Sequence, residues 1–210
     1  MRAVTWIIAI AVAAAVCGLF PPFHLVPLKT AAAEQKAKAF DTTRFAGTFW
    51  TNRLLPSLDK AVPARELLSA IQNDPPAAKK KYSRSLGLDE NYYYFLRGDG
   101  KVVSISDDEI SLAISKDSTN AEVALETGLV FGDALRDGTG LLNVNDYPNS
   151  QDFNDLSAAL DRIVETNVIP QLRGQAKPGE TISFAGCAEV DDESTDLKPL
   201  KVIPIQTLTP

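Results

Sequence analysis

The spacing of apolar residues changes period near residue 90, and that change decides what this chain can fold into. Before it, Phe45, Phe49, Trp50, Leu54 and Leu58 recur at helical spacing behind Asp41, a natural N-cap. Leu67, Leu68 and Ile71 repeat the pattern in a second helix that begins at Pro63. Pro56 lacks the N–H that a continuous helix needs, so it predicts a kink or a division there. "NDPP" at 73–76 predicts a stop, and "AAKKKYSRS" at 77–85 reads as a third, exposed and basic helical piece.

After residue 90 the alternation is that of strands. "NYYYFLRGDGKVVSISD" sets aromatic and β-branched residues on both sides of Gly98-Asp99-Gly100, which predicts a hairpin turning at those three residues. "EISLAISKD" alternates Ile110, Leu112 and Ile114 against Ser111, Ala113 and Ser115, and "AEVALETG" does the same with Val123 and Leu125. "GLLNVNDY" at 140–147 reads as a further strand. "DFNDLSAALDRIVETNVIP" returns to helix, with Phe153, Leu156, Leu160, Ile163, Val164 and Asn167 on one face and Pro170 as the stop. "ETISFAGCAEV" sends Ile182, Phe184, Ala188 and Val190 to one side and Cys187 to the other, and "LKPLKVIPIQTL" supplies the last strand.

The expected architecture is α+β. A helical subdomain over 40–90 precedes a curled sheet or partly open barrel over 91–210, of the OB-like kind, with one helix before the last two strands. Ahead of both lie an apolar segment over 1–28 and a spacer over 29–39.

That first segment, "AVTWIIAIAVAAAVCGLF" at 3–20, carries no charge and sits between a long signal core and a minimal transmembrane helix. A lipoprotein signal would use Cys17, but Val16 stands where a small residue is required. A cleaved signal would use Ala31-Ala32-Ala33, far beyond the apolar core. An uncleaved single-pass anchor through residues 3–20 is the favoured reading, with the membrane itself as the first partner. Arg2 favours one orientation and Lys29, Lys36 and Lys38 the other, so charge leaves the side open.

Charge and composition exclude several functions. Of 21 basic residues two precede Thr30, whereas all 27 acidic ones follow it. A body this acidic repels nucleic acid. One cysteine in the body forbids an internal disulfide or a cysteine zinc site, and the only histidine, His24, lies just after the apolar run. No phosphate loop or dinucleotide fingerprint is present, so no cofactor is expected.

Several short motifs have bland accounts. Ser57-Leu58-Asp59-Lys60 matches Ser-x-x-Lys without the companion motifs of that chemistry, and an exposed helix end explains it. Arg97-Gly98-Asp99 spells an adhesion tripeptide within the expected turn. Asp107-Asp108-Glu109 and Asp191-Asp192-Glu193 lack calcium-loop spacing and read as solvated connections. Cys187 has no basic neighbour to lower its pKa and reads as inert.

The densest polar stretch, "GDALRDGTGLLNVNDYPNSQDF" at 132–153, carries the candidate site. Arg136, Asp137, Asn145 and Asp146 beside Tyr147 combine bidentate donors, acceptors and a ring, as a sugar or polar metabolite requires. The same groups also suit a buried polar joint, with Arg136 bridging Asp137 or Asp146, and that account leads.

The order of "FAGTFWTNRLLPSL", "YYYFLRGDGKVVSIS", "GLVFGDALRDGTGLLNVNDYPNSQDF" and "GETISFAGCAEV" resembles a bacterial family of predicted periplasmic lipoproteins, domain of unknown function 2291. Its most specific part is Gly132, Ala134-Leu135-Arg136-Asp137 and Asn145-Asp146-Tyr147. The resemblance implies a helical part joined to an OB-like part, export of the body to the periplasm, and an accessory role beside sugar ABC importers. It carries no catalytic residues. Family members place a lipidated cysteine shortly before "VPL", where this chain has Phe23-His24-Leu25. The expectation is therefore a non-enzymatic accessory protein tethered in the inner membrane, with a polar-ligand binder as the alternative. A carboxylate glycosidase is third.

Overall fold

A computed structural model describes residues 40–85, 91–116, 118–147 and 150–208. The apolar segment 3–20, Cys17 and the tether readings lie outside them. Residues 41–210 form one compact unit.

The chain enters through helix α1 (Thr42–Phe49), whose first turn is closed by Asp41 accepting from Arg44 N at 3.0 Å. Pro56 does divide the helical stretch beyond it. A π turn (Trp50–Leu54) widens the helix and a 3-10 turn (Leu55–Lys60) carries the proline near its start, where no N–H is needed. Strand β1 (Val62–Pro63), α2 (Ala64–Asn73), α3 (Pro75–Tyr82) and β2 (Ser83–Arg84) come next. Asp74 both ends α2 and caps α3 through Ala77 N, so "NDPP" is a junction between two helices.

The expected hairpin at Gly98-Asp99-Gly100 does not form. Strand β3 runs unbroken from Tyr92 to Ile105 and turns only at Ser106–Asp108. The glycines serve close approach instead. A Cβ on Gly98 would stand 2.8 Å from Ala64 Cβ, and one on Gly100 2.8 Å from Leu112 Cβ. These two positions let α2 and the following strand, β4 (Glu109–Ala113), lie against β3.

β4 (Glu109–Ala113), β5 (Val123–Glu126), β6 (Thr181–Val190) and β7 (Leu200–Leu208) complete the sheet. The order is β3-β4-β5-β7-β6, with β6 returning to β3. β3 serves two neighbours, pairing β6 from Tyr92 to Lys101 and β4 from Lys101 to Ile105. β5 and β7 are parallel and the other long pairs antiparallel. This circuit makes a barrel with the helical region 134–175 inserted before its last two strands.

Residues 140–147 do not form the expected strand; they hold a 3-10 turn (Val144–Asp146). Before it stands the short helix α4 (Ala134–Asp137), and after it α5 (Ser150–Ile163). Pro170 does not stop the helix. A π turn (Val164–Val168) lets it start afresh as α6 (Ile169–Gln175), with Pro170 in the first turn. The extra residue of that turn rotates the face, so Val168 and Ile169 are buried and Asn167 is exposed.

Two apolar clusters result from strand alternation. Tyr92, Tyr94, Leu96, Ile182, Phe184 and Val190 point into the barrel and meet Leu67 and Ile71 of α2. Tyr93, Cys187, Ile203 and Ile205 point outward and are covered by α1, α4 and α5. The helices over 42–82 thus contribute to both clusters, and Cys187 lies on the opposite face from its apolar neighbours, as the alternation requires.

Candidate functional site

The polar stretch begins where the chain leaves β5. Val130 N donates to Glu165 Oε1 at 3.1 Å, and Gly132, at φ +108°, makes the turn into α4. Ser157 Oγ donates to Asp133 Oδ1 at 2.7 Å, tying α5 to the start of α4.

Arg136 and Asp137 come next, both buried. Arg136 Nε and Nη2 each donate to the Asp137 carboxylate at 2.7 Å, a planar fork on a planar acceptor. Nη2 also lies 3.0 Å from Asp133 Oδ2, and Nη1 reaches Asn154 Oδ1 at 3.3 Å and Phe153 O at 3.5 Å. The guanidinium is stacked 3.9 Å from the Phe153 ring centroid. Every nitrogen of the fork is therefore engaged within the protein.

Burial pushes the Asp137 carboxyl up against the opposing pull of Arg136. Burial also disfavours the Arg136 charge, yet the Asp137 bonds and the Asp133 charge hold it above its ordinary value. The bidentate geometry and the second carboxylate favour the ionised pair.

The other candidate residues part company. Asn145 and Asp146 are exposed in the 3-10 turn, where Asn143 Oδ1 accepts from Asn145 N at 3.0 Å. Tyr147 is half-buried in an aromatic line, 6.0 Å from Phe45 and 5.0 Å from Phe153 between centroids. That line joins α1 to α5. The structure thus brings Arg136, Asp137 and, through Phe153, Tyr147 together, and leaves Asn145 and Asp146 outside.

Sequence reasoning missed Asp161. It is 7% exposed on α5, and its Oδ1 has no hydrogen-bond partner. Burial, then the charges of Asp133 and Glu165, push its carboxyl up to about 7, with Arg136 opposing. The signal available was an acid one helical turn from both Ser157 and Val164, inside the apolar face. Glu189 on β6 completes the acidic surroundings; Tyr93 OH donates to it at 3.2 Å, and burial raises it too. Among the described residues no group of three or more side chains is arranged to hold a metal ion.

The remaining motifs have local explanations. Ser57 is buried rather than at an exposed helix end, and its Oγ donates to Leu54 O at 2.7 Å. Asp196 Oδ2 accepts from the backbone of Asp191 and Asp192, and Asp192 Oδ1 from Ser194 N, so this acidic run builds its own turn. Cys187 is fully buried and burial raises its pKa, which suppresses the thiolate. A cleft of about 490 Å³ lies over β3 and β6, lined by Arg97, Asp99, Ser183 and Gln206. Among the described residues no helix is long and apolar enough to cross a membrane.

Comparison with known proteins agrees with this architecture. The model of the predicted periplasmic lipoprotein family DUF2291 matches residues 7–207, and the chain belongs to that family. The crystal structure of an OB-fold protein from Thermotoga maritima MSB8 superposes with a TM-score of 0.71 at 25% identity, over 81% of this chain and 99% of that one. Comparison with curated proteins finds no match.

Proposed function

Starting from membership in this family of predicted periplasmic lipoproteins, we propose that the chain is a non-enzymatic accessory protein. It is held at the outer face of the inner membrane by an uncleaved anchor over residues 3–20 and docks to a subunit of a transporter, with a sugar ABC importer the first candidate. The observation that carries this reading is the pair Leu129 and Phe131, 75% and 74% exposed on the connection after β5. Val130 between them is buried, so the segment is fixed by its middle residue and offers its two large neighbours to solvent. Exposed apolar side chains presented together on an ordered segment suit a protein contact.

A catalytic reading has less support. The thiol is buried, and the Arg136 fork is occupied within the protein. Treating the 132–153 stretch as a joint between α4, α5 and the barrel accounts for its polar density without a ligand. A polar small-molecule reading is favoured by one other feature, the cleft beside Arg97 and Asp99, which has the volume for a sugar.

Crosslinking in intact membranes followed by purification of the chain tests the proposal. An importer subunit should be recovered with the native chain and lost with an L129S/F131S variant of unchanged thermal midpoint. Recovery of no partner, or equal recovery with the variant, refutes it.

A further inference from the structure

The basic run at 77–85 finds a use that neither the joint nor the docking segment provides. Lys81 at the end of α3 and Arg84 in β2 converge with Lys60, the last residue of the 3-10 turn, on a pocket of about 170 Å³. Three separate elements bring three cations together on a body whose charge is otherwise acidic.

The pocket is built rather than a chance crowding of surface charge. Arg84 is anchored by its backbone, paired with Tyr93 of β3. Its guanidinium lies against Gly140, where φ is +65° and an added Cβ would overlap Nη1. The positive φ favours glycine at this position, and its missing Cβ lets the guanidinium lie close to the backbone. Among the described residues neither Lys60 nor Arg84 has a carboxylate within ion-pair distance, whereas Lys81 lies 3.7 Å from Glu66. Two positive charges are thus left without a counter-charge, which a phosphate monoester near neutral pH would neutralise and a singly charged phosphodiester would neutralise in part.

The floor offers a neutral donor. Thr139 is 6% exposed, and its Oγ1 accepts from Leu141 N at 3.3 Å, which leaves the hydroxyl proton to be given to a ligand. Ser57, also in the floor, already donates to Leu54 O and can only accept. A fork-shaped guanidinium, the Lys60 ammonium and one hydroxyl donor suit a tetrahedral oxyanion, while Lys81, which donates to Tyr82 Oη at 2.6 Å, adds its charge nearby.

We propose that this pocket binds a phosphate group, carried by a small soluble phosphate ester or by the headgroup of an anionic lipid. The inference is independent of the partner assigned above.

The test is isothermal titration of the full chain in non-ionic detergent. The probes are inorganic phosphate, glycerol phosphate, and short-chain phosphatidylglycerol against phosphatidylcholine. Binding of phosphate or its ester indicates a soluble source; binding of phosphatidylglycerol alone indicates lipid. Either supports the proposal if R84Q weakens it about tenfold or more, the scale for losing a charged hydrogen-bonding partner. Should R84Q lower the thermal midpoint, K60Q, at an exposed turn end, carries the same test. No heat with any of the phosphate probes, equal affinity in both variants, or equal response to phosphatidylcholine overturns it.

Discussion

Asp161 gives the most quantitative handle on how the polar joint is balanced. Its carboxyl is raised from 3.8 to about 7, first by burial and then by the neighbouring charges of Asp133 and Glu165. The folded state therefore keeps a proton that the unfolded chain gives up above about pH 4. Stability falls as pH rises from there to about 7 and levels off once both states are ionised. At 1.36 kcal/mol per pKa unit, the ionised group costs the fold about 4 kcal/mol above neutral pH relative to acid. D161N removes that charge while keeping the shape. The new amide brings its own burial cost of about 1–3 kcal/mol, so the net gain at pH 8 is about 1–3 kcal/mol. Near pH 5, where the native group is protonated, the variant should gain nothing or lose slightly. Urea unfolding followed by the fluorescence of buried Trp50 at pH 5 and pH 8 reads both numbers. Asp137 and Glu189 are raised in the same direction, so some pH slope remains in the variant. Parallel loss of stability in both proteins between these pH values would refute the reasoning.

Other perturbations address separate parts of the molecule. R136A strands two carboxylates, one of them buried, and should cost about 3–5 kcal/mol in urea unfolding. R136K, which keeps the charge but not the fork, should recover only part of that. G100A drives a Cβ toward Leu112 and Ile114, and a loss of about 1–3 kcal/mol by thermal unfolding is expected. Cys187 should resist maleimide in the folded protein at pH 8 and react once urea unfolds it; rapid native labelling would contradict its burial.

The sequence was most legible where one periodicity ruled a whole segment. The helical stripe from Phe45 to Leu58 and the alternation from Ile182 to Val190 each lie as expected against their clusters. It misled where a residue type has two physical uses. Glycine between β-rich runs serves turns, but Gly98 and Gly100 admit Ala64 and Leu112 to the strand. Proline ends helices, yet Pro170 opens one because a π turn precedes it. Arg136 could be recognised as a partner for Asp137 from adjacency alone. Its links to Asp133 and Asn154 depend on how α4 lies against α5, and no local pattern encodes that. The pocket beneath Arg84 was less legible still, since its three cations come from elements whose convergence only the fold creates.

The central claim, a tethered body that docks through Leu129 and Phe131, is tested most directly by a photocrosslinking residue in intact cells. Placed at position 131, it should form an adduct with a defined transporter subunit. The same residue at position 162, exposed on α5, should not. Adducts of equal yield from both positions, or none from position 131 in a correctly exported protein, would contradict the account.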